Sequence, residues 1–232
     1  MGKRVPVNSQ KEGGMTKKRP RKDSAKKKED ILRTVLQLFL KKGYNATSTN
    51  DICAAAKLAK PTLYYYFGSK RNLLFTLHYD HLTNYLRPYL EEAASIQDPE
   101  QRLLFMIKDY AKMICAHPEL RFLIHETLGF KDKYFAQVKK EWKSHYLLLR
   151  NTIADLQKTG RIAADLKPSW AALSLIGMIT WMTFWFDFSR KDKTDEIAES
   201  AVTLASHALN LQIDPARGPL AKRASATSDK PG

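Results

Sequence analysis

The chain has 232 residues, 44% of them hydrophobic and 27% charged, a globular composition with room for one large domain or two small ones. Its net charge of +15 is lopsided: residues 1–75 hold 18 Lys/Arg and 5 Asp/Glu, a net of +13, and the rest of the chain only +2. That footprint points to a polyanionic partner, and two cysteines, Cys53 and Cys115, without CxxC spacing exclude a disulfide framework and fit a reducing cytoplasm.

Residues 1–25 are rich in Lys, Arg, Gly and Ser and are expected to form a disordered basic arm. A first helix is predicted from about Lys27 to Lys42, with Ile31, Val35, Leu38 and Phe39 at helical spacing and Gly43 as its stop. A short helix then opens at Thr49 or just before it, followed by a tight turn at Lys57–Lys60 and a second short helix over residues 60–67. This second helix carries Tyr64, Tyr65 and Tyr66 in a row, which spans nearly a full turn, so the three rings cannot all face one core. Tyr65 and Tyr66 are expected outside and Tyr64 partly in the core. Outward tyrosines beside Lys60 and Lys70 make a nucleic-acid-binding face. Ser69 reads as the N-cap of a helix running through Tyr85 and stopped near Pro88.

Helical signals continue to the end. Helices are predicted from Pro99 through Ile114, from Pro118 to Gly129, from about Asp132 to Thr159 and from Pro168 through Phe188, with an amphipathic last helix over 194–211. Residues 212–232 are expected to be a disordered tail. There is no strand pattern, internal repeat or Gly-rich phosphate loop. The expectation is all-α: a three-helix, helix-turn-helix DNA-binding domain at 26–75 and a larger helical domain at 76–211.

The run Gly-Tyr-x-x-Thr-x-x-x-Asp-Ile-x-x-x-Ala from Gly43, followed by Thr-Leu-Tyr-Tyr-Tyr-Phe-x-Ser-Lys from Thr62, resembles the DNA-binding domain of the TetR family of bacterial transcriptional regulators. The resemblance covers roughly residues 26–75. It implies a dimeric regulator whose second short helix enters the major groove of a palindromic operator in double-stranded DNA. The implied contact residues are Lys60, Pro61, Thr62, Tyr64, Tyr65 and Tyr66, with Thr49 and Lys70 on phosphates at helix N-termini. Three positions depart from the family pattern: Lys57 and Pro61 stand where glycine is usual and Ala59 where serine is usual. Lys57 implies a strained turn, Ala59 forfeits a cap worth about 1 kcal/mol, and Pro61 partly compensates.

The larger domain carries more apolar surface than its own core needs. Val138, Trp142, His145, Leu149, Ile153 and Leu156 form one stripe on the long helix, and 170–188 is apolar nearly all round. Such helices are covered on every side, which points to a homodimer with Trp142, His145, Leu149, Ile153, Trp181 and Trp185 as interface candidates. Large and adaptable residues among a few polar ones suggest a small-molecule pocket, with Phe105, Tyr110, Met113, Arg121, His125, Tyr146, Met178 and Trp181 as candidates. A faint likeness over 160–188 to family members that sense fatty acids or acyl-CoA points to a small lipophilic effector. No enzyme is expected, since no nucleophile elbow or Walker motif is present. No cofactor or metal is expected either: His78 and His81 share a helix face but read as surface histidines. No secretory signal or membrane span is visible, since residues 171–186 are too short and too polar to cross a bilayer. The reading is therefore a repressor released from its operator by a small effector. Two rivals stand beside it: a constitutive or architectural DNA binder, and a small-molecule-sequestering protein with a vestigial helix-turn-helix.

Overall fold

A computed structural model describes residues 21–127 and 133–211. The expected arm up to residue 20 and the tail from 212 lie outside the described residues. Among the described residues ten α-helices run in chain order: α1 Arg21–Lys42, α2 Thr49–Ala55, α3 Lys60–Phe67, α4 Lys70–His81, α5 Arg87–Ser95, α6 Pro99–Ala116, α7 Glu119–Thr127, α8 Lys133–Lys158, α9 Pro168–Trp185 and α10 Thr194–Ala208. No strand occurs among the described residues. α1 starts six residues before the expected Lys27, so residues 21–25 are helical rather than part of an arm.

Two cores form. The reader core joins Ile31, Leu32, Val35, Leu36 and Phe39 of α1 to Ile52 of α2, Leu63 and Phe67 of α3, and Leu73, Leu74 and Leu77 of α4. Leu123 of α7 is a fully buried member of the same cluster, and Phe122 packs at its edge, 5.9 Å from Phe39. A helix nearly fifty residues downstream therefore completes the reader. The body core gathers Leu82, Leu86, Tyr89, the inner faces of α6, α8 and α9, and Ala198, Ala201 and Ala205 of α10.

Pro88 does not end its helix, contrary to expectation. Between α4 and α5 the backbone stays helical through a π-turn, Leu82–Leu86, in which the Arg87 N–H donates to the Leu82 carbonyl five residues back. A proline in a regular helix clashes with the carbonyl four residues earlier. Widening the ladder by one residue just ahead of Pro88 makes room for its ring, and the helix resumes with Pro88 in its first turn.

The stripe on α8 faces inward. His145, Leu149 and Ile153 are buried inside the single chain and Trp142 is half-buried against the same core. His145, Leu149 and Ile153 are corrected from interface to core, because α6 and α9 of the same protomer already cover them. The uncovered apolar surface lies on α9 instead, where Trp170, Leu173, Trp181 and Trp185 are exposed.

Candidate nucleic-acid interface

The turn before α2 is built by Ser48, whose hydroxyl accepts the Asp51 N–H while the Asp51 carboxylate accepts the Ser48 N–H, a reciprocal capping box. Lys42 donates to the same carboxylate at 2.8 Å. That hydrogen bond, with those from Ser48, holds Asp51 well below the usual carboxylate range. Thr47, buried, donates to the Gly43 carbonyl at 2.7 Å. The α2–α3 turn carries the strain its sequence implies: Lys57 has φ +51, a left-handed backbone that suits glycine. Ala59 caps α3 without a side-chain hydrogen bond, and Pro61 occupies the first turn. Gly68, at φ +69, then reverses the chain so that Ser69 can accept the Asn72 N–H and open α4.

α3 turns two side chains inward, Leu63 and Phe67, each 2% exposed. Tyr65 is 84% exposed and Tyr64 47%, and Lys60 and Pro61 are exposed on the first turn. Thr62 and Tyr66 are half-buried. The roles expected of Tyr64 and Tyr66 are thus exchanged: the Tyr66 ring lies edge-on to Tyr65 at 5.4 Å and packs at the rim of the reader core. Lys70, at the start of α4, sets its ammonium 4.1 Å above the Tyr44 ring, and burial pulls its pKa down. Thr49, half-buried, opens α2.

In the body the pocket candidates separate into three places. Tyr110 is fully buried with its hydroxyl 2.6 Å from Thr180 Oγ1. Phe105 stacks 5.8 Å from Tyr89. The Tyr89 hydroxyl donates to the Met106 carbonyl at 3.0 Å, so the His145 Nε2–H donates to the Tyr89 oxygen at 3.2 Å. His145 Nδ1 is left as a buried acceptor without a partner, and burial pushes this ring's pKa down to about 3. Arg121 and His125 are exposed on α7 and meet Phe184 of α9 at 5.4 and 5.3 Å, and Trp181 also contacts that ring at 4.5 Å. Met178 and Trp181 line an open apolar groove of about 520 Å³ between α9 and α10, along with Gly177, Trp185, Ala201 and Leu204. Met113 and Tyr146 are half-buried around the body core. Sequence reading missed the groove. Its signal was the spacing of Gly177, Trp181 and Trp185 along one side of α9.

The two histidines taken for surface groups are not. His78 is buried, with Nδ1 2.8 Å from the Thr127 hydroxyl, and His81 is half-buried beside Glu119. No group of three potential ligands among the described residues is placed to hold a metal ion. No helix among them is long and apolar enough to cross a membrane.

Comparison with known proteins agrees with this geometry. The family model for bacterial regulatory proteins of the tetR family matches residues 31–77, and one for a tetracyclin repressor-like C-terminal domain matches residues 97–209. The transcriptional regulator QacR of Staphylococcus aureus (strain Mu50 / ATCC 700699) is 42% identical over 50 residues, 22% of this chain and 27% of that one. The chain thus spans about a quarter of this relative's length. Among solved structures, AibR in complex with isovaleryl coenzyme A and operator DNA superposes with a TM-score of 0.68 at 23% identity, over 77% of this chain and 97% of that one. FadR from Bacillus subtilis in complex with stearoyl-CoA gives 0.64 at 17% identity, over 76% and 96%. The outward α3 face, the capped turn that positions it and the helical body behind it have one common source: the chain belongs to the TetR family, DNA-binding transcriptional regulators that are not enzymes.

Proposed function

We propose that the chain is a homodimeric repressor that grips a palindromic operator through α3 and releases it when a small lipophilic effector, a fatty acid or acyl-CoA, binds the body. The observation that carries this reading is the outward face of α3. A short helix with two inward anchors, Leu63 and Phe67, holds Tyr64, Tyr65 and Lys60 toward solvent. Thr49 and Lys70 flank this face and serve as phosphate contacts. One reader covers one half-site, and a pair must sit about one DNA turn, roughly 34 Å, apart.

The exposed α9 stripe supplies the pairing surface. Trp181 and Trp185 are 62% and 54% exposed on a helix whose opposite face is core, and a contiguous apolar patch of this kind marks an association site. A second copy covers it. For the effector, support comes from the complexes of AibR with isovaleryl coenzyme A and FadR with stearoyl-CoA. Within this chain, His145 Nδ1 offers a buried acceptor to a hydrogen-bond donor.

The test uses a labelled duplex selected from a random pool with the full chain. Isovaleryl-CoA, stearoyl-CoA and the free acids are titrated against the complex. Release by at least one is expected. DNA binding that none of them disturbs would favour the constitutive binder. Acyl ligand binding without any duplex binding at low salt would favour the sequestering protein.

A further inference from the structure

α4 crosses from the reader to the body. Leu73, Leu74 and Leu77 pack in the reader core, whereas Leu82 and Leu86 pack in the body core. The crossing therefore falls at residues 78–81, directly ahead of the π-turn. Two charged bridges pin the chain to the body here. In the first, Arg87 forks onto Glu141 of α8, with hydrogen bonds of 2.6 and 3.1 Å, and donates to the Tyr79 hydroxyl at 2.6 Å. Guanidinium keeps its charge at any pH a protein survives.

The second bridge is different. Glu119, at the start of α7 where the neighbouring Leu120 packs in the body core, places one carboxylate oxygen 3.1 Å from His81 Nε2 and 3.1 Å from His117 Nδ1. The other nitrogen of His81, Nδ1, lies 3.0 Å from the Leu77 carbonyl. Tyr85 flanks both rings, with centroids 4.0 Å from His117 and 5.5 Å from His81. The bridge is largely out of solvent, with the His81 and Glu119 side chains 14% and 18% exposed.

Counting protons fixes the state of His81. A backbone carbonyl only accepts. Burial works to raise the Glu119 pKa, but hydrogen bonds from His117 and His81 outweigh it and hold the carboxyl well below its ordinary range, so it is ionised and also only accepts. Both ring nitrogens of His81 thus face acceptors, and both are satisfied only when the ring carries two N–H groups. A neutral ring would set a lone pair against a carboxylate. His117 needs only one N–H to play its part. His78, one turn earlier on α4, is neutral: burial first, then the charge of His81, pushes it down to about 4. Asp80 is half-buried, its pKa raised by burial against the opposing charges of Lys28 of α1 and His81.

We propose that the His81–Glu119–His117 bridge is a proton-operated latch between reader and body: the second proton on His81 closes it and fixes the angle of the reader, and loss of that proton loosens it. The latch rests on the reading that paired readers grip two half-sites, because only a pair is sensitive to the angle each reader holds. A ring that has lost this proton sets a lone pair against the Leu77 carbonyl or the Glu119 carboxylate, while Arg87 holds throughout.

The experiment compares the full chain with His81→Gln, Glu119→Gln and Arg87→Gln from pH 5.5 to 8.5 at fixed ionic strength. The probe is the duplex selected at pH 6.5, in two-half-site and single-half-site forms. Two-half-site affinity of the unaltered chain should fall about fivefold or more as pH rises, a typical coupling between sites, with little change for the single half-site. His81→Gln and Glu119→Gln should flatten that slope, and Arg87→Gln should weaken binding equally at every pH. Nitrogen NMR of the imidazole rings in the DNA-free chain provides a second readout and should show both His81 nitrogens protonated at pH 6.5. A singly protonated His81 at that pH, or a slope that survives His81→Gln, would overturn the latch. Failure to bind any duplex would overturn the operator reading, and the ring spectrum would still decide the state of the bridge.

Discussion

Tyr65 and Phe67 lie two positions apart on α3 and should respond in opposite ways to truncation. Phe67 is 2% exposed in the reader core. Phe67→Ala removes a buried ring and leaves a cavity, at a cost of about 3–5 kcal/mol. In a chain of this size each kcal/mol moves the melting midpoint by about 2–4 °C, so a drop of about 6–20 °C is expected. Tyr65 is 84% exposed, and its truncation should change stability by less than about 0.5 kcal/mol. Its effect belongs to DNA. A lost base-edge contact is worth about 1–3 kcal/mol, a loss of about five- to 150-fold per reader. The assays are circular-dichroism melting and fluorescence anisotropy with the selected duplex. If Tyr65→Ala melts as low as Phe67→Ala, or keeps its affinity within about twofold, then α3 does not present this face to DNA.

The covering of α9 can be tested by charge. Trp181→Glu should leave a folded protomer that light scattering finds monomeric, while Leu149→Glu places a carboxylate in the body core and should unfold it, a cost of several kcal/mol. Acid should destabilise the chain in a defined window. Burial lowers His78 from an ordinary 6.5 to about 4 and His145 to about 3. The folded values lie below the unfolded ones, so this stability is fully present above about pH 6.5 and is lost as the pH falls toward the folded values, roughly 3 kcal/mol for His78 alone. Glu119 acts with the same sign, starting from its ordinary 4.5 and working downward. Midpoints should decline as the pH falls below 6.5, less steeply in His145→Leu. Lys57→Gly should raise the midpoint by about 2–4 °C, since a left-handed backbone costs a residue with a side chain about 1 kcal/mol.

Local rules carried the reader. Gly43, Pro61 and Ser69 each mark a boundary through their own chemistry, and the strain at Lys57 was legible from its departure from the family pattern, whereas the parts played by Ser48 and Gly68 came only with the structure. The order of the three tyrosines was not, because which ring reaches the core depends on how α3 rolls against α1 and α4. The body was legible as helices but not as faces. Periodicity reports that Leu149 and Ile153 share a side of α8 with Trp142, and it is silent on whether the same chain or another covers that side. Pro88 misled for a similar reason: proline forbids a regular ladder, and here a π-turn leaves the helix running. His78 and His81 read as exposed because their partners, Thr127 and Glu119, lie 49 and 38 residues away.

The placement of α7 has a consequence for how the protein comes into being. Leu123 is a full member of the reader core and Phe122 seals its edge. A growing chain that has emerged only as far as α4 carries every residue of the helix-turn-helix and still lacks part of the wall that shapes it. Domains generally fold as units from the N-terminus during synthesis, but here the reader must wait for residues made well after it. DNA-binding competence is therefore acquired late, when part of the body is already in hand. A fragment cut after α4 should be looser than the same helices in the whole chain, however complete its motif.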